Sequence, residues 1–483
     1  MKRRILSIIC VLALCLTLLP VTALAAEEAV SYLAYSWDGS KLTSTPESVT
    51  EYTTVTNSDT AWSNGWYVVS DNVDNYGRSN IEVSGTVNLI LTSGKTLTLN
   101  GPNISLQDSS AVLNIYGQAG NTGKLSITAG NSSGDAGINL NGGTLNIHGG
   151  TVTATGHITS AIKSAPGIDV GTSTLTVYGG EVTAEAGTYN SAGYGAGIRV
   201  VTNGTVNIHG GTVTANGASF ASANDYPGAG IGGSGSTGET CGTVVITGGT
   251  VTANGGGGYQ QRAAAGIGGG AGKSSSAGGG GNVIISGGTV TANGGSSISG
   301  VQAPGIGGAV YSNNQGSAGS FSTGTNGSAV ITATDGISDD DDTSSWQGII
   351  NNTVYGTVTL PDSQLSGKTL TVSENANLTI PDGAALTGSI TVESGGTLTV
   401  NSGSTVTNSG TITNNGTLTG GGTINNTGNG KVTGEGTNNT VTITYPSTVT
   451  VTSNQSNDTV GPNQEVTFTA TVTGNDTAGT PTG

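Results

Sequence analysis

Charged residues, aromatic residues and cysteines are all scarce in this chain of 483 residues, and each scarcity excludes a class of protein. The 29 acidic residues outnumber the 13 lysines and arginines, so the net charge of −16 opposes binding to nucleic acid or to anionic lipid. Of the three cysteines, Cys10 and Cys15 lie within the segment 1–25 at the N-terminus, which leaves Cys241 without an intramolecular disulfide partner. We expect Cys241 to be a small buried side chain and not a catalytic thiol.

The N-terminal segment 1–25 has the three parts of a secretory signal peptide. Lys2 to Arg4 form the basic start, residues 5–19 form the apolar stretch, and Ala23-Leu24-Ala25 supplies small residues for cleavage. The apolar stretch is too short to span a membrane comfortably. Removal of this segment takes away three cations and changes the net charge from −16 to −19. We therefore expect an extracellular protein, secreted or attached to the cell surface, with no transmembrane span in the mature chain.

Glycine, in contrast, is abundant at 85 residues, and it recurs in a fixed unit. The unit Gly-Gly-x-Val-Thr-Ala begins at positions 149, 179, 210, 248 and 287. The absence of a Gly-x-y triplet period excludes collagen, and the phasing of the glycines against Val, Ile and Leu opposes disorder. A short repeated unit cannot bury its apolar side alone and stacks on its neighbours. The repeat therefore predicts a solenoid.

Each coil contains three strand-like pieces, represented by residues 144–148, residues 151–154 and the Gly-Ile pair at 167–168. Alternation of apolar and polar residues points Leu145 and Ile147 towards the interior. We expect pairing between coils at a spacing of roughly 4.8 Å. We also expect the insertions that lengthen later coils to lie between the second piece and the Gly-Ile pair, because loops vary where stacked strands do not.

Composition divides the chain into five segments. The signal peptide (1–25) is followed by an aromatic N-terminal cap (26–80), which contains three of the four tryptophans, and by a parallel β-helix with coils of about 30–39 residues (81–352). Residues 353–444 carry a shorter repeat, which we interpret as narrower coils of the same solenoid. Residues 445–483 contain two alternating strand patterns.

The Gly-Gly-Thr-Val-Thr-Ala-Asn-Gly units and the Ala-Gly-Ile-Gly-Gly stretches at 229–233 and 265–269 resemble the pectate-lyase-like right-handed β-helix of secreted and surface proteins of Gram-positive bacteria. Residues 445–483 resemble the start of a bacterial Ig-like repeat domain, although a complete sandwich needs ~100 residues. The resemblance implies an all-β fold: a right-handed parallel β-helix solenoid with an N-terminal cap and a partial C-terminal Ig-like β-sandwich. It also implies an adhesin-like or carbohydrate-binding protein, and we expect the natural protein to continue beyond Gly483.

Stacking aligns equivalent residues of successive coils, and this gives two candidate ligand sites. His148, Tyr178 and His209 precede paired glycines and are expected to point outward, where a sugar could dock on their rings or where they could simply pack against each other. The two histidines are two coils apart, roughly 9.6 Å, which is too far to share a zinc ion. Asp169 and Arg199 each follow a Gly-Ile pair and are expected to be neighbours.

The candidate metal ligands are Asp339, Asp340, Asp341 and Asp342. Carboxylate oxygens suit calcium, which is the one candidate cofactor, but four consecutive acids also suit a solvated acidic loop. No other cofactor is expected.

Three functions remain open at this point. The first is a non-enzymatic, adhesin-like β-helix that presents its faces and corner loops to a polysaccharide or host glycan. The second is a degenerate or cryptic pectate-lyase-like polysaccharide-degrading enzyme that uses Asp169 and Arg199, and the third is a purely structural surface stalk. Enzymes that resemble this chain use clustered acids, calcium and an Arg or Lys base, whereas one acid beside one arginine is typical of a surface ion pair. We therefore expect a binding protein and no enzymatic activity. The pattern names neither the glycan nor the oligomeric state.

Overall fold

A computed structural model describes residues 28–474, except for 78, 131–134, 158–164, 188–193, 220–225, 236, 260, 274–275, 313, 325–327, 339–342, 360, 455–461 and 463–464. The predicted signal peptide lies outside the described residues. Within them the chain is almost entirely β-sheet, and the helical segments are one 3-10 turn (Thr343–Ser345) and one short helix, α1 (Asp362–Leu365). The predicted fold class, a right-handed parallel β-helix, is confirmed.

The N-terminal strands form a hairpin and the first coils. Strands β1 and β2 pair antiparallel as a two-stranded sheet of their own, whereas the following strands join the long parallel sheets of the solenoid. These strands are β1 (Val30–Trp37), β2 (Leu42–Val49), β3 (Thr53–Thr54), β4 (Ala61–Val69), β5 (Val73–Asn75), β6 (Ile81–Leu91), β7 (Thr96–Gly101), β8 (Ile104–Leu106), β9 (Val112–Gly117) and β10 (Lys124–Ala129).

From residue 138 each coil repeats three parallel strands. The Gly-Ile strands are β11 (Ile138–Asn139), β14 (Ile168–Gly171), β17 (Ile198–Val200), β20 (Ile231–Gly232), β24 (Ile267–Gly268) and β27 (Ile306–Gly307). The first strands are β12 (Thr144–Ile147), β15 (Thr174–Val177), β18 (Thr205–Ile208), β21 (Thr243–Ile246), β25 (Asn282–Ile285) and β30 (Ser320–Ser322). The second strands are β13 (Thr151–Thr155), β16 (Glu181–Glu185), β19 (Thr212–Asn216), β22 (Thr250–Asn254), β26 (Gly287–Asn293) and β31 (Ser328–Ala333). Loops add β23 (Arg262–Ala263), β28 (Val310–Tyr311) and β29 (Asn314–Gln315).

The coils are in register, and their apolar residues form continuous files inside the solenoid. Leu145 aligns with Leu175, and Leu175 aligns with Val206 on the next coil. All three side chains are fully buried in one core that the coils before β32 share. Burial of an aliphatic side chain contributes about 1.5–3 kcal/mol, so the alternating pattern alone specifies which face of each strand turns inward.

The expected position of the insertions is wrong. The connections between second strands and Gly-Ile strands keep nearly the same length, as residues 186–197 and residues 294–305 show. The connections from Gly-Ile strands to first strands are the ones that lengthen, from residues 172–173 to residues 233–242 and then 269–281. The Gly-Ile strand is only two residues long in the later coils. The corners on both sides of it are rich in glycine and serine, so the two corners are hard to tell apart in the sequence.

A second solenoid begins where the chain reverses. Strand β32 (Gly348–Ile350) pairs in parallel with β31, but β33 (Thr353–Tyr355) pairs antiparallel with β32. The side chain of Ile350 packs in the first core, whereas Ile349 and Val354 pack in a second core. The interpretation of narrower coils of the same solenoid is therefore corrected: one sheet is shared, but each solenoid has its own core on opposite faces of that sheet.

The strands of the second solenoid recur with a shorter period. Those that continue the shared sheet begin at positions 369, 389, 411 and 431, so every one of these coils is shorter than the coils of the first solenoid. The strands are β34 (Thr357–Thr359), β35 (Thr369–Val372), β36 (Asn377–Ile380), β37 (Ala385–Leu386), β38 (Ser389–Val392), β39 (Thr397–Val400), β40 (Thr405–Asn408), β41 (Thr411–Asn414), β42 (Thr417–Thr419), β43 (Thr423–Asn426), β44 (Lys431–Thr433), β45 (Thr437–Asn438) and β46 (Thr442–Thr444). A hairpin of β47 (Ser447–Ser453) and β48 (Phe468–Gly474) follows, and the Ig-like assignment of this region stays a prediction.

Candidate functional site

Polar side chains follow the Gly-Ile strands from coil to coil. Asn139 aligns with Ser105 of the preceding coil and with Asp169 of the next, and Asp169 aligns with Arg199. The expected proximity of Asp169 and Arg199 is confirmed. We call Ser105, Asn139, Asp169 and Arg199 the polar file. These positions alternate with buried isoleucines, so the period of a β-strand places them on the outer side of the solenoid.

A cavity of about 260 Å³ opens beside the polar file. Its walls include Asn139, Asp169 and Arg199, together with Asn141 and Ser173 from the short corners that follow the Gly-Ile strands. We call this cavity the cleft. The lining residues come from coils with short corners, and the longer corner of residues 233–242 belongs to the coil that follows Arg199.

Glu239, which sequence reasoning missed, comes from that longer corner and contacts Arg199. The Nε and Nη2 atoms of Arg199 donate hydrogen bonds to Glu239 at 2.8 and 2.7 Å, and its Nη1 atom donates to Asp169 Oδ1 at 2.9 Å. The backbone N–H of Ser234 donates to the same glutamate at 3.0 Å. The one sequence signal for Glu239 is its position as a lone acidic residue in the insertion that follows the Arg199 coil. Its contact with Arg199 cannot be predicted from that position, because the contact depends on the path of the loop.

The electrostatics of the cleft are dominated by burial. Burial raises the pKa of Asp169 even though Arg199 acts in the opposite direction. The hydrogen bonds to Glu239 and the charges of both carboxylates raise the pKa of Arg199, although burial opposes them. All three side chains are about one-fifth exposed, at 20–23%. Two carboxylates share one guanidinium, so the cluster carries one negative charge in excess.

The remaining polar groups of the cleft are oriented by hydrogen bonds. The backbone N–H of Asn141 donates to Asn139 Oδ1 at 3.2 Å, and the side chain of Asn141 donates to Ser105 Oγ at 3.0 Å. The backbone N–H of Gly142 donates to Ser173 Oγ at 2.8 Å. These bonds fix amide and hydroxyl groups along the wall of the cleft, and such groups can both donate and accept hydrogen bonds.

The second predicted site is a stack of rings on the first-strand face. Tyr116, His148 and Tyr178 lie nearly parallel, with centroids 4.5 and 4.8 Å apart, and His209 follows at 5.5 Å. We call these four residues the ring file. Because each ring stacks on the ring of the next coil, the ring faces are occupied by neighbours and the edges point outward. The mode of binding predicted for His148, Tyr178 and His209, a sugar docked on ring faces, is therefore not available here.

The β1–β2 hairpin covers the ring file. Trp37 stacks on His209 with a centroid distance of 4.7 Å, and the backbone N–H of Tyr35 donates to His148 Nδ1 at 3.2 Å. Only 8% of His148 is exposed, and this burial lowers its pKa to about 4. The alternative raised for these residues, packing against one another and their surroundings, describes the observed contacts, while binding of a ligand by this file stays a prediction.

The other candidate residues give no site. Asp339, Asp340, Asp341 and Asp342 lie outside the described residues. Within the part of the chain that the structure describes, no group of three His, Cys, Asp or Glu side chains is placed to hold a metal ion. Cys241 is buried, and this burial raises its thiol pKa to about 12, as expected for a side chain that only packs.

A family model described as beta helix repeat matches residues 145–169, 175–198, 206–235, 244–271 and 283–310. Each match begins at a first strand and extends to the Gly-Ile strand of the next coil or just beyond it. The chain is a parallel β-helix repeat protein. No curated protein and no solved structure gives a match. In the described part of this β-helix protein, no helix has the length and apolar character needed to cross a membrane.

Proposed function

We propose that this β-helix protein is an extracellular, non-enzymatic protein that binds a polysaccharide in the cleft beside the polar file. The observation that carries the proposal is the cavity of about 260 Å³ lined by Asn139, Asn141, Asp169, Ser173 and Arg199. The site is on an exposed side of a secreted solenoid, where an extended polymer can approach without entering a closed pocket.

The chemistry of the lining matches that of a sugar. Sugar hydroxyls both donate and accept hydrogen bonds, and the cleft presents amide, hydroxyl, carboxylate and guanidinium groups within a small space. Their positions are fixed by stacked coils and by bonds such as the one between Asn141 and Ser105, at 3.0 Å. A wall that is already ordered loses little conformational entropy when a ligand binds.

The same contacts support binding over catalysis. Arg199, the residue that the enzyme alternative would use as its base, is held by hydrogen bonds to both Asp169 and Glu239. An arginine with this pairing keeps its proton, so it does not accept one from a substrate. We assign no catalytic step to this cleft, and degradation of a glycan is the outcome that would replace the proposal.

The test is a glycan array probed with the chain that lacks residues 1–25, in the presence and in the absence of calcium. We expect binding that weakens roughly fivefold in an Asn139→Ala variant, because one hydrogen bond contributes about 1 kcal/mol. The matched control is Asn146→Ala, which removes a similar amide, bonded to Asn114 at 2.9 Å, from the neighbouring face. Equal effects of both variants would show that the cleft is not the site.

Two further results would decide between the remaining functions. Release of reducing or unsaturated sugar ends from a bound polysaccharide would establish an enzyme. A complete lack of binding would favour a structural stalk.

A further inference from the structure

The cleft contains an imbalance of charge within a narrow space. Asp169 and Arg199 line the cavity with one charge of each sign, and Glu239, which pairs with Arg199 without lining the cavity, adds a second negative charge. The described residues that line the cavity include no second Lys or Arg. The chain as a whole is also acidic, with a net charge of −16, so the long-range field of the protein does not offset the excess.

The carboxylate of Asp169 is the group most in need of a further partner. It accepts one side-chain hydrogen bond, from Arg199 at 2.9 Å, and the backbone N–H of Gly171 also supports it, while Glu239 accepts the other two bonds from the same guanidinium. Asp169 is only 23% exposed, so water compensates its charge incompletely. The raised pKa of Asp169, caused first by burial, agrees with this geometry.

We propose that the cleft recognises an amino sugar whose amine is free and protonated, with the ammonium group placed against Asp169. This inference rests on the proposed function and names the class of glycan. A cation restores the charge balance of the cleft, whereas a uronic acid would add a third carboxylate to two that are already present. Like charges in a partly buried site repel strongly, because the local dielectric is low.

The lining explains why the ligand is a sugar and not a simple cation. Asn139, Asn141 and Ser173 surround the carboxylate with groups that suit sugar hydroxyls. A volume of about 260 Å³ is below the range of pockets that enclose drug-sized ligands, and it suits one unit of a polymer whose neighbours stay outside.

The experiment compares hexamers of glucosamine, N-acetylglucosamine and galacturonate by calorimetry at low salt, using the chain without residues 1–25. We expect glucosamine to bind roughly tenfold to a hundredfold more tightly than N-acetylglucosamine, which is the range for one hydrogen bond to a charged group. Galacturonate should bind most weakly. The preference for glucosamine should decrease as salt is added, because ions screen the interaction.

A charge-matched pair of variants assigns the preference to the cleft. Glu239→Gln removes the excess negative charge but keeps an oxygen that can accept from Arg199, so the preference for glucosamine should disappear. Asp71→Asn removes the same charge from a surface pair with Lys95, in which the Asp71 side chain is 83% exposed, and should leave the preference intact.

Three outcomes would overturn the inference. Equal binding of glucosamine and N-acetylglucosamine, or tighter binding of galacturonate, would refute the amino sugar and leave the proposed glycan function standing. Binding of the polyamine spermidine as tight as that of the glucosamine hexamer would show that the cleft reads charge alone. Failure of all three hexamers to bind, together with a negative glycan array, would refute the proposed function itself.

Discussion

Protonation of His148 should loosen the β1–β2 hairpin from the solenoid. The Nδ1 atom of His148 accepts the backbone N–H of Tyr35 at 3.2 Å, so this nitrogen carries no proton when the hairpin is docked. A proton there would place two N–H groups against each other in a space that water barely reaches. The phenol rings of Tyr116 and Tyr178, which flank His148, are uncharged at neutral and acidic pH. Glu47 accepts a hydrogen bond from the hydroxyl group of Tyr32 at 2.7 Å.

The sign and size of the effect follow from the pKa of His148. Burial lowers this pKa from its ordinary value of 6.5 to about 4, so the docked state binds fewer protons than the released state between these values. Docking is therefore strongest above pH 6.5 and weakens as the pH falls towards 4. The full difference corresponds to about 3 kcal/mol. This is an upper limit for the hairpin, because Tyr116 and Tyr178 still shield the ring after release.

The assay is hydrogen exchange of the peptide that covers residues 30–37, compared at pH 7 and pH 4.5 after correction for the intrinsic pH dependence of exchange. We expect protection of this peptide to decrease at the lower pH while that of β12 and β15 persists. His148→Gln supplies an acceptor that does not titrate, so it should abolish most of the change; what remains would belong to His209, whose pKa is also lowered by burial. A hairpin that stays equally protected in the wild-type protein at both pH values would refute the argument.

Three further predictions concern the stability of the solenoid. Gly211→Ala should lower the free energy of unfolding by about 2 kcal/mol in a thermal melt, because its φ is +77° and an added Cβ would lie 2.6 Å from the carbonyl oxygen of Gly180. The control Gly300→Ala should lower it less, because Gly300 has a φ of +84° but open space around the added Cβ. Asn254→Ala should lower the free energy of unfolding by about 1–2 kcal/mol in a denaturant titration, since the side chain of Asn254 is hydrogen-bonded to Asn216 at 2.6 Å and to Asn293 at 2.8 Å. Thr250→Ala, at an exposed position of the same strand, should leave the free energy of unfolding nearly unchanged. Cys241 should not react with Ellman's reagent until the chain is unfolded, because its thiol is buried with a pKa of about 12, and rapid reaction of the folded protein would contradict this.

The strands and their register could be predicted because the information is local and repeated. Leu145, Leu175 and Val206 alternate with polar residues at a period of two, and a slip of one residue would expose the whole file. The contact between Asp169 and Arg199 follows from the same register. Nothing beyond the spacing of the repeats is needed for these inferences.

The position of the insertions can also be predicted from the spacing of the repeats, but only when two marker positions in each coil, the paired glycines and the Gly-Ile pair, are compared. The repeat length rises from coil to coil, yet the paired glycines at 149 and 287 precede the next Gly-Ile pairs, at 167 and 305, by equal intervals. The growth must therefore follow the Gly-Ile pair. A single landmark measures only the length of a coil and cannot say which corner is longer.

Contacts made by segments outside the repeat could not be predicted in this way. Glu239 reaches Arg199 through a corner that has no equivalent in the preceding coils, and Trp37 reaches His209 from a hairpin far away in sequence. Both contacts involve residues that period and register do not constrain. The same lack of constraint explains why the ring file was expected to be open, although the hairpin covers it.

The junction shows how one sheet can serve two cores. Val330 of β31 points away from the first core and packs against the second, as does Ile349 of β32, while Ile350 beside it packs in the first. Successive side chains of a strand point to opposite faces, so a strand with apolar residues at consecutive positions can be covered on both sides. Strand β33 also runs antiparallel to β32. Reversing the strand direction and placing the core on the other face amount together to a half-turn about the axis along which the coils stack. The second solenoid therefore winds with the same hand as the first. The run Gly348-Ile349-Ile350 is thus the sequence feature that lets one sheet pass from the core of the first solenoid to the core of the second.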